Sequence, residues 1–251
     1  LELISRIIHG LDQFTSFIGI KMKRALLVSA LMISCSTFAA SNQLDQWTGF
    51  YAGGNLGYGS GHSRDEGNST SWGDSIDGVV GGIQVGHNWQ FDNNIVLGVA
   101  ANLNLSDMGD AFKNSDHDKY DAYDGSIDIK QNGSVDLLMG YAFDRVLPYV
   151  KVGVTVAKED FTMGCHKGNV TKTNGCGNEF NTNASNISAG MNVGAGIQYR
   201  VTQNLSAGIE YTYVDLGTSS VYLHDPNYAD YGSRNFNTSY STTTLNVNYL
   251  F

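Results

Sequence analysis

Leu245, Val247, Tyr249 and Phe251 fall on every second position, with Asn246 and Asn248 between them. Successive side chains of a strand point to opposite faces, so the four apolar residues share one face and the two amides share the other. At the margin of a soluble sheet such a segment would be an adhesive edge. A sheet that closes on itself removes the edge. If the closed sheet sits in a membrane, the apolar face has lipid to meet.

The same alternation recurs from Trp47 onward. Eight strands are expected at about 48–60, 79–91, 95–106, 131–143, 147–157, 187–200, 205–216 and 239–251. Three short turns, at 92–94, 144–146 and 201–204, alternate with four long polar stretches, at 61–78, 107–130, 158–186 and 217–238. With 30 Gly, 14 Tyr and few helix-period segments, the fold class expected is all-β. The pattern predicts an eight-stranded antiparallel up-and-down transmembrane β-barrel with short periplasmic turns and four long extracellular loops.

The two faces of these strands differ in kind. One carries Val, Leu, Ala and Ile in mid-strand. Near strand ends Trp47, Trp89, Phe91, Tyr141, Phe143, Tyr199, Tyr249 and Phe251 are expected to form the interfacial girdle. The other face carries Gln84, Asn88, Asn102, Asn104, Asn192, Gln198, Asn246 and Asn248, interspersed with glycines. A soluble lipocalin-type barrel also alternates, but its outer face would be rich in Lys and Glu rather than amides. Eight strands leave an interior just wide enough for side chains. Asp136, Lys151, Arg200 and Glu210 fall on the polar face, and a buried charge needs a partner. They are expected to form a lumen ion-pair network that plugs the barrel and prevents free diffusion.

Met22-Lys23-Arg24 followed by the apolar run 25–33 and the small residues Thr37 and Ala39 reads as a signal peptide over 22–39. Residues 1–21 are expected to lie upstream of the native start, 40–46 to form a short periplasmic segment, and 47–251 the barrel. Residues 1–39 carry Arg6, Lys21, Lys23 and Arg24 against Glu2 and Asp12, so the mature chain is two charges more acidic than the −9 of the whole. That acidity argues against nucleic acid as a partner. Cys165 and Cys176 remain in the mature chain and are expected to form one loop disulfide; a metal site is the rival, with only His166 close by.

Trp47 to Tyr58 (WTGFYAGGNLGY), Leu147 to Gly153 (LPYVKVG), Asn192 to Tyr199 (NVGAGIQY) and Asn204 to Gly217 (NLSAGIEYTYVDLG) resemble the outer membrane immunogenic protein (porin-like) β-barrel family, related in architecture to the OmpA transmembrane domain. The resemblance covers essentially all of the mature chain. It implies a cell outer-membrane protein of a Gram-negative bacterium acting as a surface antigen, adhesin, envelope-stabilising protein or haemin binder. The expected partners are outer-membrane lipid and lipopolysaccharide, the outer-membrane assembly machinery, and host-surface ligands or haemin. Leu245, Val247, Tyr249 and Phe251 resemble the terminal signal that this machinery reads. A narrow porin or small-solute binder is the alternative reading, and a monomer is expected.

Each long stretch carries one histidine, His62, His117, His166 or His224. Histidine can ligate haem iron; four scattered polar loop residues are the plainer account. The acidic run Asp107, Asp110, Asp116, Asp118, Asp121 and Asp124 lacks the glycine and terminal glutamate of a calcium loop. His62-Ser63 has no acid placed for a catalytic triad. No enzyme, cofactor or metal is expected.

Overall fold

The computed structural model describes residues 46–65, 75–113, 123–165, 180–222 and 234–251. Eight strands follow one another: β1 (Gly49–Asp65), β2 (Ile76–Gln90), β3 (Ile95–Lys113), β4 (Tyr123–Tyr141), β5 (Val146–Cys165), β6 (Phe180–Arg200), β7 (Leu205–Val221) and β8 (Arg234–Leu250). Each pairs antiparallel with its neighbour in sequence, and β8 returns to β1, closing the barrel. The closing register runs from Tyr51↔Leu250 to Asp65↔Phe236, and the Phe251 N–H donates to the Phe50 carbonyl at 2.9 Å. The strand that began as an edge in the sequence therefore has both sides paired.

Side-chain chemistry explains the short turns. Between β2 and β3, Asn94 takes φ 63°, a left-handed conformation that Asn tolerates, and the Phe91 N–H donates to Ile95 O at 2.8 Å. Between β4 and β5 a two-residue loop puts Asp144 at φ 53°, with Phe143 and Val146 exchanging both backbone hydrogen bonds. Between β6 and β7 the Thr202 hydroxyl accepts the Leu205 N–H at 3.1 Å. These three turns define one end of the barrel, the turn end; the other is the loop end.

The outer surface is a ring of exposed apolar side chains contributed by every strand. Leu56, Ile83, Leu97, Val135, Val152, Val193, Ile209 and Leu245 all lie on it; Val135 is 67 % exposed and Leu245 66 %. A continuous apolar ring of this extent suits lipid and not water. Its turn-end border is aromatic: Phe50, Trp89, Phe91, Tyr141, Phe143, Tyr199, Tyr249 and Phe251 are all exposed. His87 belongs to this border, its ring 4.3 Å from that of Phe50 and 4.4 Å from that of Trp89. Trp47 corrects the expectation that placed it in the girdle. It is fully buried, packed inside the barrel with Val96, Ala142 and Leu147.

The strands are 15–21 residues long, whereas a tilted membrane strand needs about 9–11. At about 3.3 Å per residue and a tilt of about 40°, β6 rises roughly 50 Å, twice the height of the apolar band. The excess lies at the loop end. Much of what the sequence places in four long loops is therefore barrel wall: 61–65, 76–78, 107–113, 123–130, 158–165, 180–186, 217–221 and 234–238 are strand.

In this upper wall the pattern inverts. Ile76, Met108, Ile127, Ile129, Phe161, Met163, Val221 and Phe236 point inward and are buried. The outward positions between them are polar, as at Asp77, Asp107, Asp128 and Asp160. Two strands achieve the inversion with a β-bulge. β4 breaks register with β5 between Ile129 and Gln131, and β7 breaks register with β8 between Asp215 and Thr218. One extra residue exchanges the two faces of a strand.

Candidate functional site

The barrel interior is layered. At the turn end, Trp47, Val96, Ala142 and Leu147 make an apolar floor, with Arg200 stacked 4.7 Å over the Trp47 ring and donating to the Gln203 carbonyl at 3.3 Å. Above it, Tyr51, Ala100 and Leu250 form a second apolar step. At the loop end, twelve buried residues including Met108, Ile129, Phe161, Phe236 and Tyr240 form an apolar ceiling. Between floor and ceiling lies a polar middle.

The charged centre of that middle comes from β4, β5 and β7. Lys151 Nζ lies 3.3 Å from Asp136 Oδ2 and 2.7 Å from Glu210 Oε1. Both carboxylates take further donors. Asp136 accepts Asn102 Nδ2 at 2.8 Å, Ser134 Oγ at 2.9 Å and Asn192 Nδ2 at 2.8 Å. Glu210 accepts the Tyr149 hydroxyl at 2.6 Å and the Thr212 hydroxyl at 3.1 Å. Asp136 is 1 % exposed and Lys151 6 %, so this is a desolvated ion cluster whose geometry is fixed by neutral donors. Gly153 makes the cluster possible. A Cβ there would collide with the Val135 carbonyl and with Asp136 Oδ1.

Next to the cluster is a cavity of about 40 Å³, lined among others by Asn55, Asn104, Asn132, Lys151, Thr155 and Glu210. That is room for about two or three water molecules. Its walls are mostly amide, hydroxyl and charged groups, with Val80 and Val214 the aliphatic exceptions, and suit water better than an apolar ligand.

Of the four lumen charges read from the sequence, the structure brings Asp136, Lys151 and Glu210 together and places Arg200 at the turn end, with Trp47. All four face inward, as alternation requires. Their height along the axis differs: Arg200 is the last residue of β6, whereas Lys151 pairs with Gly194, six residues earlier on that strand. Sequence reasoning missed Tyr149, although it lies two residues before Lys151 on the same inward face. It also missed Glu159, which is fully buried at the level of the ceiling, between Ala157 and Phe161 and opposite Ile129, and accepts the Ser188 hydroxyl.

Leu245, Val247, Tyr249 and Phe251 lie on the exposed apolar face, Phe251 71 % exposed. His62 is exposed on the outer face of β1. His117, His166 and His224 lie outside the described residues, as do Cys176 and with it the Cys165–Cys176 pairing, the signal peptide and residues 40–45. Among the described residues no group of three or more His, Cys, Asp or Glu side chains is placed to hold a metal ion.

Residues 25–251 match the family model for the outer membrane protein beta-barrel domain. The 31 kDa outer-membrane immunogenic protein of Brucella melitensis is 27 % identical over 259 residues, covering 92 % of this chain and 100 % of that protein. The 22 kDa outer membrane protein of Rhizobium leguminosarum is 30 % identical over 171 residues, covering 67 % of this chain and 64 % of that protein. Among solved structures, outer membrane protein OprG of Pseudomonas aeruginosa aligns with 84 % of this chain and 99 % of its own at a TM-score of 0.45 and 12 % identity.

Proposed function

The chain belongs to the outer membrane protein beta-barrel family, and from that premise we propose that it is a closed, non-conducting scaffold that presents its loop end to the outside of the cell for contact with other molecules. It is an outer-membrane β-barrel surface protein. The observation that carries the scaffold reading is the interior: an ion cluster and small polar cavity shut between an apolar floor at Trp47 and an apolar ceiling at Phe161 and Phe236. A narrow porin would leave a continuous polar path, and the ceiling interrupts it.

On this reading the roles open to the protein are envelope integrity, surface antigen and adhesion. Residues 22–39 direct export, Leu245, Val247, Tyr249 and Phe251 serve recognition by the assembly machinery, and the apolar ring meets lipid and lipopolysaccharide. Orientation is tested by cysteine labelling on intact cells, in a background with Cys165→Ser and Cys176→Ser. A membrane-impermeant maleimide is expected to label Tyr222→Cys, which is exposed at the loop end, on whole cells. It is expected to label Asn93→Cys, in a turn, only after permeabilisation. Labelling of Asn93→Cys on intact cells would overturn the orientation.

A further inference from the structure

The charges of the ion cluster do not sum to zero. Asp136 and Glu210 carry two negative charges against the one positive charge of Lys151, which leaves a net charge of −1. The other partners, Asn102, Ser134, Asn192, Tyr149 and Thr212, are neutral donors that spread this charge without cancelling it. Neighbours along the axis do not cancel it either. Toward the turn end, Arg200 lies six residues from the level of Lys151, roughly 20 Å along the strand. Toward the loop end the next buried charge among the described residues is Glu159, which is also negative. A net charge taken out of water costs far more than a balanced pair.

The cavity beside the cluster offers the chemistry that balances it. Glu210 and Lys151 line it, together with Asn55, Asn104 and Asn132. The side-chain oxygens of Asn55 and Asn104 are buried and accept no hydrogen bond among the described residues. A buried acceptor is costly unless a donor or a cation meets it. The two amides flank one glycine in a single cross-strand row, since Asn55 pairs with Gly82 and Gly82 with Asn104. A Cβ at Gly82 would collide with the Asn104 oxygen, so that oxygen lies over bare backbone between β1 and β3. The Asn104 Nδ2 donates to Asn132 Oδ1 at 3.0 Å and holds the amide in this orientation. Asn132 Nδ2 is unpartnered in turn and needs an acceptor, which a water in the same cavity supplies.

We propose that this cavity binds one alkali cation of about the size of a water molecule, such as potassium or rubidium, between the Asn55 and Asn104 oxygens, and that this ion balances the Asp136–Lys151–Glu210 cluster. An excess of one negative charge suits a monovalent ion; a divalent one would reverse the sign. Carbonyl-type oxygens that replace a hydration shell are ligands such ions take. With β2 between them, the backbones of Asn55 and Asn104 stand about 10 Å apart, the span that two asparagine side chains and one ion between them fill. The cavity of about 40 Å³ holds a water-sized ion with one or two waters. A site of this kind needs no cluster of His, Cys, Asp or Glu side chains, and it does not depend on which end of the barrel faces outside the cell.

The test compares the barrel in rubidium chloride and in choline chloride, mixed to one total chloride concentration. An ion that binds only the folded state raises the folding equilibrium constant in proportion to its concentration, once above its dissociation constant. Urea unfolding from lipid vesicles is expected to show a tenfold rise in that constant for each tenfold rise in rubidium over that range. Glu159→Gln, whose carboxylate does not line the cavity, should respond as wild type does. Asn55→Leu, which removes one oxygen, and Glu210→Gln, which leaves a neutral Asp136–Lys151 pair, are expected to need at least tenfold more rubidium for the same response or to show none. Wild-type crystals grown in rubidium chloride should give an anomalous peak between Asn55 and Asn104. If either variant lacks the heat-dependent gel mobility shift of a folded barrel, that peak decides alone. A wild type as flat in rubidium as in choline, its charge met by a proton or by water only, overturns the proposal. So does a rubidium response left unchanged in either variant or lost in Glu159→Gln, and so does the absence of a peak at the two amides.

Discussion

At Lys151 one largely buried ammonium stands between two carboxylates, Asp136 fully buried and Glu210 mostly so. Removing a partner from such a cluster costs more than the pair contributes, because the remaining charges stay buried and uncompensated. Lys151→Met is expected to destabilise the barrel by about 3–5 kcal/mol, measured as a lowered urea midpoint for unfolding from lipid vesicles. Adding Asp136→Asn to Lys151→Met should recover part of the loss, because one buried carboxylate is then neutral. If the double variant is no more stable than the single, the cluster is not the source of the effect. The sequence showed that Asp136, Lys151, Arg200 and Glu210 share a face, since alternation alone decides that. It could not show their heights, which depend on how far each strand is staggered against its neighbour. Arg200 therefore lies with Trp47 rather than with Lys151, and Trp47, read as an interfacial residue, turns inward to meet it.

At the scale of the strand, the sequence was legible where the outer face is apolar and misleading where it is not. In β5, Val150, Val152 and Val154 face lipid, and the pattern announces a strand. Beyond Ala157 the outward residues become Lys158, Asp160 and Thr162 while Phe161 and Met163 turn inward, so the same strand reads as a polar loop. The inversion marks the height at which lipid gives way to water. In β4 it is hidden further by the bulge near Lys130, which moves Ile127 and Ile129 from the face of Val135 and Leu137 to the interior. The bulge in β7 depends on Gly217, whose left-handed backbone suits glycine and whose surroundings are open. Gly217→Val is expected to cost about 1–2 kcal/mol through backbone strain alone, since no neighbouring atom obstructs the side chain. Urea unfolding checks the magnitude. An unchanged midpoint would mean that β7 can leave the bulge without penalty.

At the scale of the whole molecule, the layering of the interior decides whether anything passes through it. Eight strands enclose a lumen just wide enough for side chains, and two seals act in series along it. The floor at Trp47, Val96, Ala142 and Leu147 closes the turn end, and the ceiling around Met108, Ile129, Phe161 and Phe236 closes the loop end. Between them the Asp136–Lys151–Glu210 cluster occupies much of the cross-section and is flanked by small cavities of about 40 and 10 Å³. A path for ions needs both seals open, because either one interposes apolar side chains that ions do not cross. The purified barrel in a planar bilayer is therefore expected to show no steady single-channel openings. Trp47→Ala alone should stay silent, as should Phe161→Ala with Phe236→Ala. Only the variant that combines all three is expected to conduct, and then weakly, past the remaining ion cluster. Steady openings from wild type would show that the ceiling yields in a membrane and would return the protein to the narrow-porin reading. Conductance from one single-end variant would place the whole barrier at that end.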